Sequence, residues 1–238
     1  MKIEKFLRIW SEEKICSVLG IDNTNNIDSQ EVLKAHIHLM KIAETNQQLL
    51  PLLYVFEHLY RNIIHSQIST IFNNANWLTD LTDTKSPLYI FFQRQMRKAS
   101  GQSYKTIEKV INETKEAKRR VKRGNTKKHN PTISEGQILA EFSFGFWCYL
   151  TQDVMCKLYE AYSPKPFSPI RTIFCNYSNK KPVQKIRDNL DKIRKIRNRI
   201  AHHEKVHNPY LFKKLILLMI GYLDSEIKEY YENYFKDI

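Results

Sequence analysis

The densest group of reactive side chains lies in the segment RNRIAHHE, which begins at Arg197. Arginine has a planar guanidinium that stays charged and matches the oxygens of a phosphate, and histidine can accept or give a proton near neutral pH. On a helix, Asn198 would share a face with His202, and Arg199 would share one with His203, because each pair is four residues apart. This spacing predicts a surface that binds a phosphate and moves a proton.

Those two roles are sufficient to cleave RNA without a metal. The ribose 2′-hydroxyl is an internal nucleophile, so a protein has to align it, take its proton, stabilise the charged phosphorane and protonate the leaving 5′-oxygen. One histidine does not easily carry both proton steps, so a second is expected from His203 or from the same motif of another subunit. The two histidines could instead be an incidental pair or metal ligands. Zinc sites need three or four ligands, and no suitable set accompanies them, so we predict no metal and no cofactor.

The positive charge of the chain is concentrated in two segments. The chain has 38 Lys and Arg against 25 Asp and Glu, a net charge of +13 with a pI of 9.5. Residues 115–128 and 180–199 each carry +7, so the rest is nearly neutral. Such runs can be solvated faces, but two that hold the whole excess favour an anionic partner. RNA is the leading candidate, with residues 115–128 as an RNA-holding loop; the predicted RNA contacts are Lys118, Arg119, Arg120, Lys122, Arg123, Lys127, Lys128, Arg194 and Arg199.

Composition excludes several classes of protein. The chain has 238 residues and 6 glycines, and it lacks the glycine-rich loops that hold nucleotide phosphates. Its longest apolar stretch has nine residues, where a bilayer span needs about 20, and neither basic run has the apolar face of an interfacial helix. The first residues do not resemble a signal peptide, so we expect a cytoplasmic protein without a membrane partner. Four scattered cysteines are expected to be free, buried thiols.

Helical spacing predicts an all-α bundle. Asp28 with Glu31 forms a capping box before one helix, and Pro51 is expected to start a long central helix. Ser134 with Gln137 three residues on indicates the start of a second long core helix, which is expected to bury Phe142, Phe146, Tyr149 and Leu150. Asn208 is expected to cap a last helix that runs to about Tyr234. Before it, an apolar stripe at three- and four-residue steps predicts a helix with Val183, Ile186, Leu190, Ile193, Ile196 and Ile200 on one face.

RNRIAHH resembles the signature of the HEPN superfamily, which is an Arg, a polar residue, three variable residues and a His. Within that superfamily it resembles the Abi-like proteins of the AbiD and AbiF type from bacterial phage-defence loci. YVFEHLYRNIIHSQI is similar to that family's early Glu and Arg-Asn helix, and ILAEFSFGFWCYL is similar to its Leu-x-Phe-Gly-Phe-Trp helix. The chain departs from the pattern at His207, where many relatives have a Trp.

The resemblance implies an all-helical HEPN-like domain over residues 46–238, after a helical extension over residues 1–45. It implies a homodimer whose paired motifs form a metal-independent endoribonuclease, a toxin-like effector of abortive infection that a neutralising antitoxin could control. Arg197 would hold the scissile phosphate, His202 would be the general base or acid, and Asn198 would orient the site. His203 is the alternative catalytic histidine.

The early motif offers auxiliary residues. Glu57, Arg61 and His65 are four residues apart, so they form either an ion-pair ladder or, with Asn62, a surface beside His202 that holds RNA. The aromatic residues 144–147 are expected to be core rather than a stacking platform for bases. The rival function is a non-catalytic module that binds a structured regulatory RNA, and a DNA-binding protein is a weaker third hypothesis.

Overall fold

A computed structural model describes residues 10–22, 28–124, 133–163 and 169–234, and the all-α prediction is confirmed there. No strand occurs in these ranges. In chain order the helices are α1 (Glu12–Leu19), α2 (Ser29–Phe72), α3 (Trp77–Asp80), α4 (Pro87–Lys98), α5 (Gly101–Gly124), α6 (Glu135–Ala140), α7 (Phe144–Tyr149), α8 (Asp153–Tyr162), α9 (Pro169–Ile173), α10 (Gln184–Ala201), α11 (Pro209–Leu223) and α12 (Ser225–Tyr234).

The central element is α2, a single helix of 44 residues. The predicted capping box at Asp28 is present, and the helix ends at Asn73 in the left-handed conformation. The prediction that a helix starts at Pro51 is wrong, because this proline lies inside α2. Its ring removes the N–H that would bond to the carbonyl of Gln47, but burial of the neighbouring Leu52 keeps the chain helical. The predicted domain boundary between residues 45 and 46 falls inside this helix.

The second long core helix is replaced by three short helices, α6, α7 and α8. The capping box of Ser134 is present at the start of α6, but the chain turns after Ala140 and again after Tyr149. The apolar residues of this segment are spread too widely around a helix to be buried on one face, and the turns place Phe146 and Leu150 in the core. Phe142 and Tyr149 are only partly buried.

The predicted last helix is two helices. Asn208 caps α11 as expected, with its Oδ1 accepting a hydrogen bond from the Leu211 N–H at 3.3 Å. The helix ends at Asp224, which is extended at φ −155° and accepts hydrogen bonds from the N–H groups of Glu226 and Ile227. Asp224 therefore ends α11 and caps α12.

One main core holds the helices together. Phe56, Tyr60 and Ile64 of α2 are fully buried and pack against α7, α9 and α11. The predicted stripe of α10 faces this core, with Val183 and Ile196 partly buried and the others buried. The aromatic residues of α7 belong to it too, as predicted. A smaller cluster joins α1 to the start of α2 through Ile15, Val32 and Ala35.

Glu135 connects α6 to two other helices. Its carboxylate accepts hydrogen bonds from the N–H of Leu78 at 2.7 Å and from the N–H and hydroxyl of Thr79 at 3.0 and 2.6 Å. His65 Nε2 lies 3.7 Å away, beyond hydrogen-bond distance. Burial opposes ionisation of Glu135, but the nearby His65 and the bonds from residues 78 and 79 outweigh it and hold the pKa of this carboxyl below its ordinary value.

The cysteines are free, and their burial differs from the prediction. Cys16 and Cys156 are buried and Cys148 is half-buried, but Cys175 is exposed, so the prediction is wrong there. Burial raises the pKa of the Cys156 thiol to about 11. None of the helices in the described ranges is long and apolar enough to cross a membrane.

Candidate functional site

Helix α10 positions the Arg-Asn pair of the motif. Ile193 and Ile200 are buried, so the helix is held against the core along one face. Arg197 lies at the edge of that face and is partly exposed, and Asn198 is exposed. The two residues therefore stand where the buried side of the helix meets solvent.

The two histidines lie beyond the end of α10. The helix ends at Ala201, His202 is its cap at φ −95°, and His203 is left-handed at φ 54°. The His203 N–H donates to the Ile200 carbonyl at 3.0 Å, and the Glu204 N–H donates to the Arg199 carbonyl at 2.8 Å. These two bonds form a Schellman motif. His202 keeps its helical relation to Asn198, because its N–H still donates to the Asn198 carbonyl at 3.0 Å. The prediction that His203 shares a helical face with Arg199 is wrong, because the chain turns at His203.

Side chains from the N-terminal helices hold the turn that carries the histidines. Lys14 Nζ donates to the His202 carbonyl at 2.9 Å, and Asn46 Nδ2 donates to the Glu204 carbonyl at 3.1 Å. Asn46 is 4% exposed. A polar residue that interrupts the apolar face of α2 was visible in the sequence, but its partner was not. The backbone of the turn is thus fixed on both sides.

The imidazole rings themselves lie at the surface. Both His202 and His203 are exposed. Neither ring has a hydrogen bond or an ion pair within the part of the chain that the structure describes. An exposed histidine can move a proton, but no described residue holds either ring in one orientation.

Arg197 is paired with Glu57 of α2. Arg197 Nε lies 3.4 Å from Glu57 Oε1, and the two side chains are 37% and 23% exposed. Burial raises the pKa of the Glu57 carboxyl above its ordinary value, although the neighbouring Arg197 and, more weakly, His58 oppose the rise. Glu57 therefore connects the early motif, YVFEHLYRNIIHSQI, to Arg197 of the RNRIAHH motif.

The other residues of the early motif lie elsewhere on α2. Arg61 Nε donates to the Asn62 side chain at 3.2 Å, and His65 lies beside Glu135. No ion pair joins Glu57, Arg61 and His65 in the described structure, so the alternative of an ion-pair ladder is wrong. Arg61, Asn62 and His65 are not among the residues that line the clefts at Arg197.

Two clefts meet at Arg197. The polar cleft lies between α5, α7 and α10, has a volume of about 200 Å³, and is lined by Lys109, Glu113, Ser143, Phe144, Gly145, Phe146, Tyr149, Arg194, Arg197 and Asn198. The apolar groove lies between α2 and the end of α10, has a volume of about 450 Å³, and is lined by Ala43, Asn46, Gln47, Leu50, Leu53, Tyr54, Glu57, Arg197, Ile200, Ala201 and His203. Arg197 forms part of both walls.

The polar cleft contains one cation, Lys109, that the sequence did not single out. Lys109 Nζ lies 3.9 Å from the centre of the Tyr149 ring and 3.5 Å from Glu113. Arg194, a predicted RNA contact, also lines this cleft and lies 2.6 Å from Asp191. Lys109 comes from a helix far away in sequence, and only its i,i+4 pairing with Glu113 was visible beforehand.

The described part of the first basic segment is helical rather than a loop, since residues 115–124 form the last part of α5. Arg120 lies 2.9 Å from Glu141, and Arg119 lies 3.4 Å from Glu116. Arg123 is 3.9 Å from the same glutamate. Exposed pairs of this kind contribute little, so a phosphate can compete with them.

The remaining predicted contacts vary in their availability. Lys118 is half-buried and donates to the Thr82 hydroxyl at 2.8 Å, whereas Lys122 is exposed. Arg199 lies 3.3 Å from Glu204. Lys127 and Lys128 lie outside the described residues. The clefts at Arg197 are lined by Arg194 but by none of the predicted contacts in α5.

Within the described ranges, no three His, Cys, Asp or Glu side chains converge so that they could hold a metal ion. The chain matches no protein-family model, and neither the curated proteins nor the solved structures contain a significant match.

Proposed function

We propose that this protein is a metal-independent endoribonuclease that cleaves RNA by attack of the 2′-hydroxyl. The products would carry 2′,3′-cyclic phosphate and 5′-hydroxyl ends. The observation that carries the proposal is the position of Arg197, a partly exposed guanidinium where a cleft with further cations meets an apolar groove, next to a turn with two exposed histidines.

Each residue of the motif has a chemical task in this proposal. Arg197 binds the scissile phosphate and stabilises the charge of the phosphorane, with Lys109 and Arg194 attracting the RNA backbone to the polar cleft. Asn198, which lines the same cleft, orients the phosphate. His202 takes or gives the proton, and His203 is the alternative or the second proton carrier.

Glu57 is a positioning residue in this scheme. It holds the Arg197 guanidinium between the two clefts and touches no reacting atom itself. Because the ion pair is partly exposed, a phosphate can take over the guanidinium without a large cost.

A second candidate function is a non-catalytic module that binds a structured RNA. It is favoured by the exposed imidazoles, since a general base is ordinarily oriented by a hydrogen bond to its second nitrogen. A second copy of the chain could supply that partner in the homodimer that the resemblance implies.

The biological part of the proposal rests on the resemblance to the Abi-like proteins of the HEPN superfamily. We propose a cytoplasmic toxin-like effector of abortive infection, restrained by an antitoxin or a regulatory RNA.

The test is incubation of the purified protein with end-labelled single-stranded RNA in excess EDTA, followed by analysis of the product ends. Arg197→Ala and His202→Ala should each lower the cleavage rate at least about 100-fold, as expected when a phosphate-binding or proton-transfer group is removed. Lys228→Ala is the matched control, because Lys228 pairs with Glu232 at 3.1 Å and lines neither cleft.

Folding has to be controlled because Arg197→Ala leaves Glu57 without its partner. The double variant Arg197→Ala, Glu57→Gln removes that unpaired carboxylate and should unfold at the temperature of the wild type. Cleavage at the wild-type rate by Arg197→Ala and His202→Ala would contradict the proposal. Salt-sensitive RNA binding without cleavage by the wild type would favour the second candidate.

A further inference from the structure

We infer that the apolar groove binds one unpaired nucleobase, that of the nucleotide whose phosphate is held by Arg197. This inference rests on the proposed function, since RNA is the proposed ligand. It adds a binding site for a base, so the protein would bind single-stranded RNA through an unpaired base as well as through the phosphate backbone.

The chemistry of the groove fits a flat, largely apolar ring with polar edges. Leu50, Leu53 and Ile200 provide apolar walls, and Asn46 and Gln47 provide amides. The volume of about 450 Å³ is sufficient for one base with part of its ribose. A cluster of cations would fit phosphate alone, but among the described residues that line this groove Arg197 is the only lysine or arginine.

The position of Arg197 fixes which base this would be. Its guanidinium lies on the wall shared by the groove and the polar cleft. A phosphate bound there would have its neighbouring base on the apolar side and its continuing backbone on the side of Lys109 and Arg194. A single nucleotide combines a largely apolar ring with a charged phosphate, so it matches both sides of Arg197.

Tyr54 provides a stacking surface at the groove. The residue is 64% exposed, so one face of its ring is open to a ligand. The His58 ring packs against it and supports it, with the ring centroids 3.8 Å apart and the planes tilted by 37°. An exposed, supported aromatic ring is the feature by which proteins hold unpaired bases.

Asn46 adds a hydrogen-bonding group without a partner. Its Nδ2 donates to the Glu204 carbonyl, but its Oδ1 is buried and accepts no hydrogen bond from the described residues. A buried acceptor without a donor is unfavourable, and a ring N–H or amine seated deep in the groove can satisfy it. Nucleobases carry such donors, whereas an apolar side chain of another protein does not.

The test compares two pentanucleotides with equal charge and 2′-deoxyribose throughout, which cannot be cleaved by 2′-hydroxyl attack. One carries a single adenine at the centre and four abasic sites, and the other carries five abasic sites. Fluorescence anisotropy should show about tenfold tighter binding of the pentamer with adenine to the wild type. Tyr54→Ala should reduce the difference to less than about twofold. Tyr230→Ala is the control, because Tyr230 is 63% exposed and lines neither cleft.

Equal binding of the two pentamers by the wild type would overturn the inference, and so would a difference that survives in Tyr54→Ala. Sedimentation velocity of the same proteins tests the rival occupant. If Tyr54→Ala converts a dimer to a monomer and the adenine has no effect, the groove is an interface between copies, and the inference is wrong. The binding assay does not depend on cleavage, so an adenine effect without ribonuclease activity would overturn the proposed function alone.

Discussion

His203 occupies a backbone conformation that a histidine does not favour, and replacing it separates its structural role from its chemical one. At φ 54° it fills the position of a Schellman motif where glycine is usual. An L-residue in this region costs about 1–2 kcal/mol of stability, which glycine avoids. Glycine in turn costs about 0.5–1 kcal/mol, because it loses more conformational entropy when the chain folds. His203→Gly should therefore raise the free energy of unfolding by about 1 kcal/mol, or the melting temperature by about 2–4 °C.

His202 provides the matched control. At φ −95° its backbone suits any residue, so His202→Gly should lower the free energy of unfolding by about 0.5–1 kcal/mol. Both variants are measured by chemical denaturation followed by circular dichroism. The two changes in the free energy of unfolding should have opposite signs, although each variant removes one imidazole from the same turn. The difference between them therefore reports the backbone conformation at each position.

Cleavage assays on the two variants then assign the catalytic histidine. If His202 carries the proton, His203→Gly keeps activity in a more stable protein, whereas His202→Gly loses it. A loss of more than about 1 kcal/mol in His203→Gly would refute the reasoning, because the side chain would then stabilise the fold by more than its backbone strain costs.

Three further substitutions test the energetics of the fold and the site. Glu135→Gln should lower the free energy of unfolding by about 2–3 kcal/mol near neutral pH, and urea titrations should show the loss shrinking as the pH falls through the lowered pKa of this carboxyl. Glu57→Gln should be at least as stable as the wild type near neutral pH. As the pH falls through the raised pKa of Glu57, the free energy of unfolding of the wild type should increase relative to that of the variant. The opposite trend would mean that the ion pair with Arg197 outweighs burial. Tyr60→Phe should lower the free energy of unfolding by about 1 kcal/mol, because the buried hydroxyl lies 2.9 Å from the Thr151 hydroxyl. Thermal unfolding measures this, and an unchanged melting temperature would show that the hydrogen bond does not stabilise the fold.

Local patterns in the sequence predicted those features of the fold that depend on near neighbours. The capping boxes at Asp28 and Ser134 and the cap at Asn208 are present because each needs only residues three positions away. The stripe of α10 was equally visible, since burial of every third or fourth residue is a property of one helix. The end of that helix was not, because the left-handed turn is formed by a histidine at 203 rather than by a glycine.

The site could be predicted only in part, because its partners are far apart along the chain. Arg197 and Asn198 were found from their types and spacing, but Glu57 reaches Arg197 across 140 residues. Lys109 and Tyr54 enter the clefts through packing that no local pattern indicates. Pro51 shows the opposite effect, a strong local signal that tertiary burial overrides.

Because α2 is so long, its two ends differ in how firmly they are packed. At 44 residues the helix extends over about 66 Å, yet the main core begins only at Leu49, and a cluster of three buried residues holds its start to α1. Amide hydrogen exchange should therefore show the first turns of α2 and all of α1 opening in a separate, less protected unit. Because Lys14 of α1 bonds to the His202 carbonyl, each opening of that unit would also release one restraint on the turn that carries the histidines.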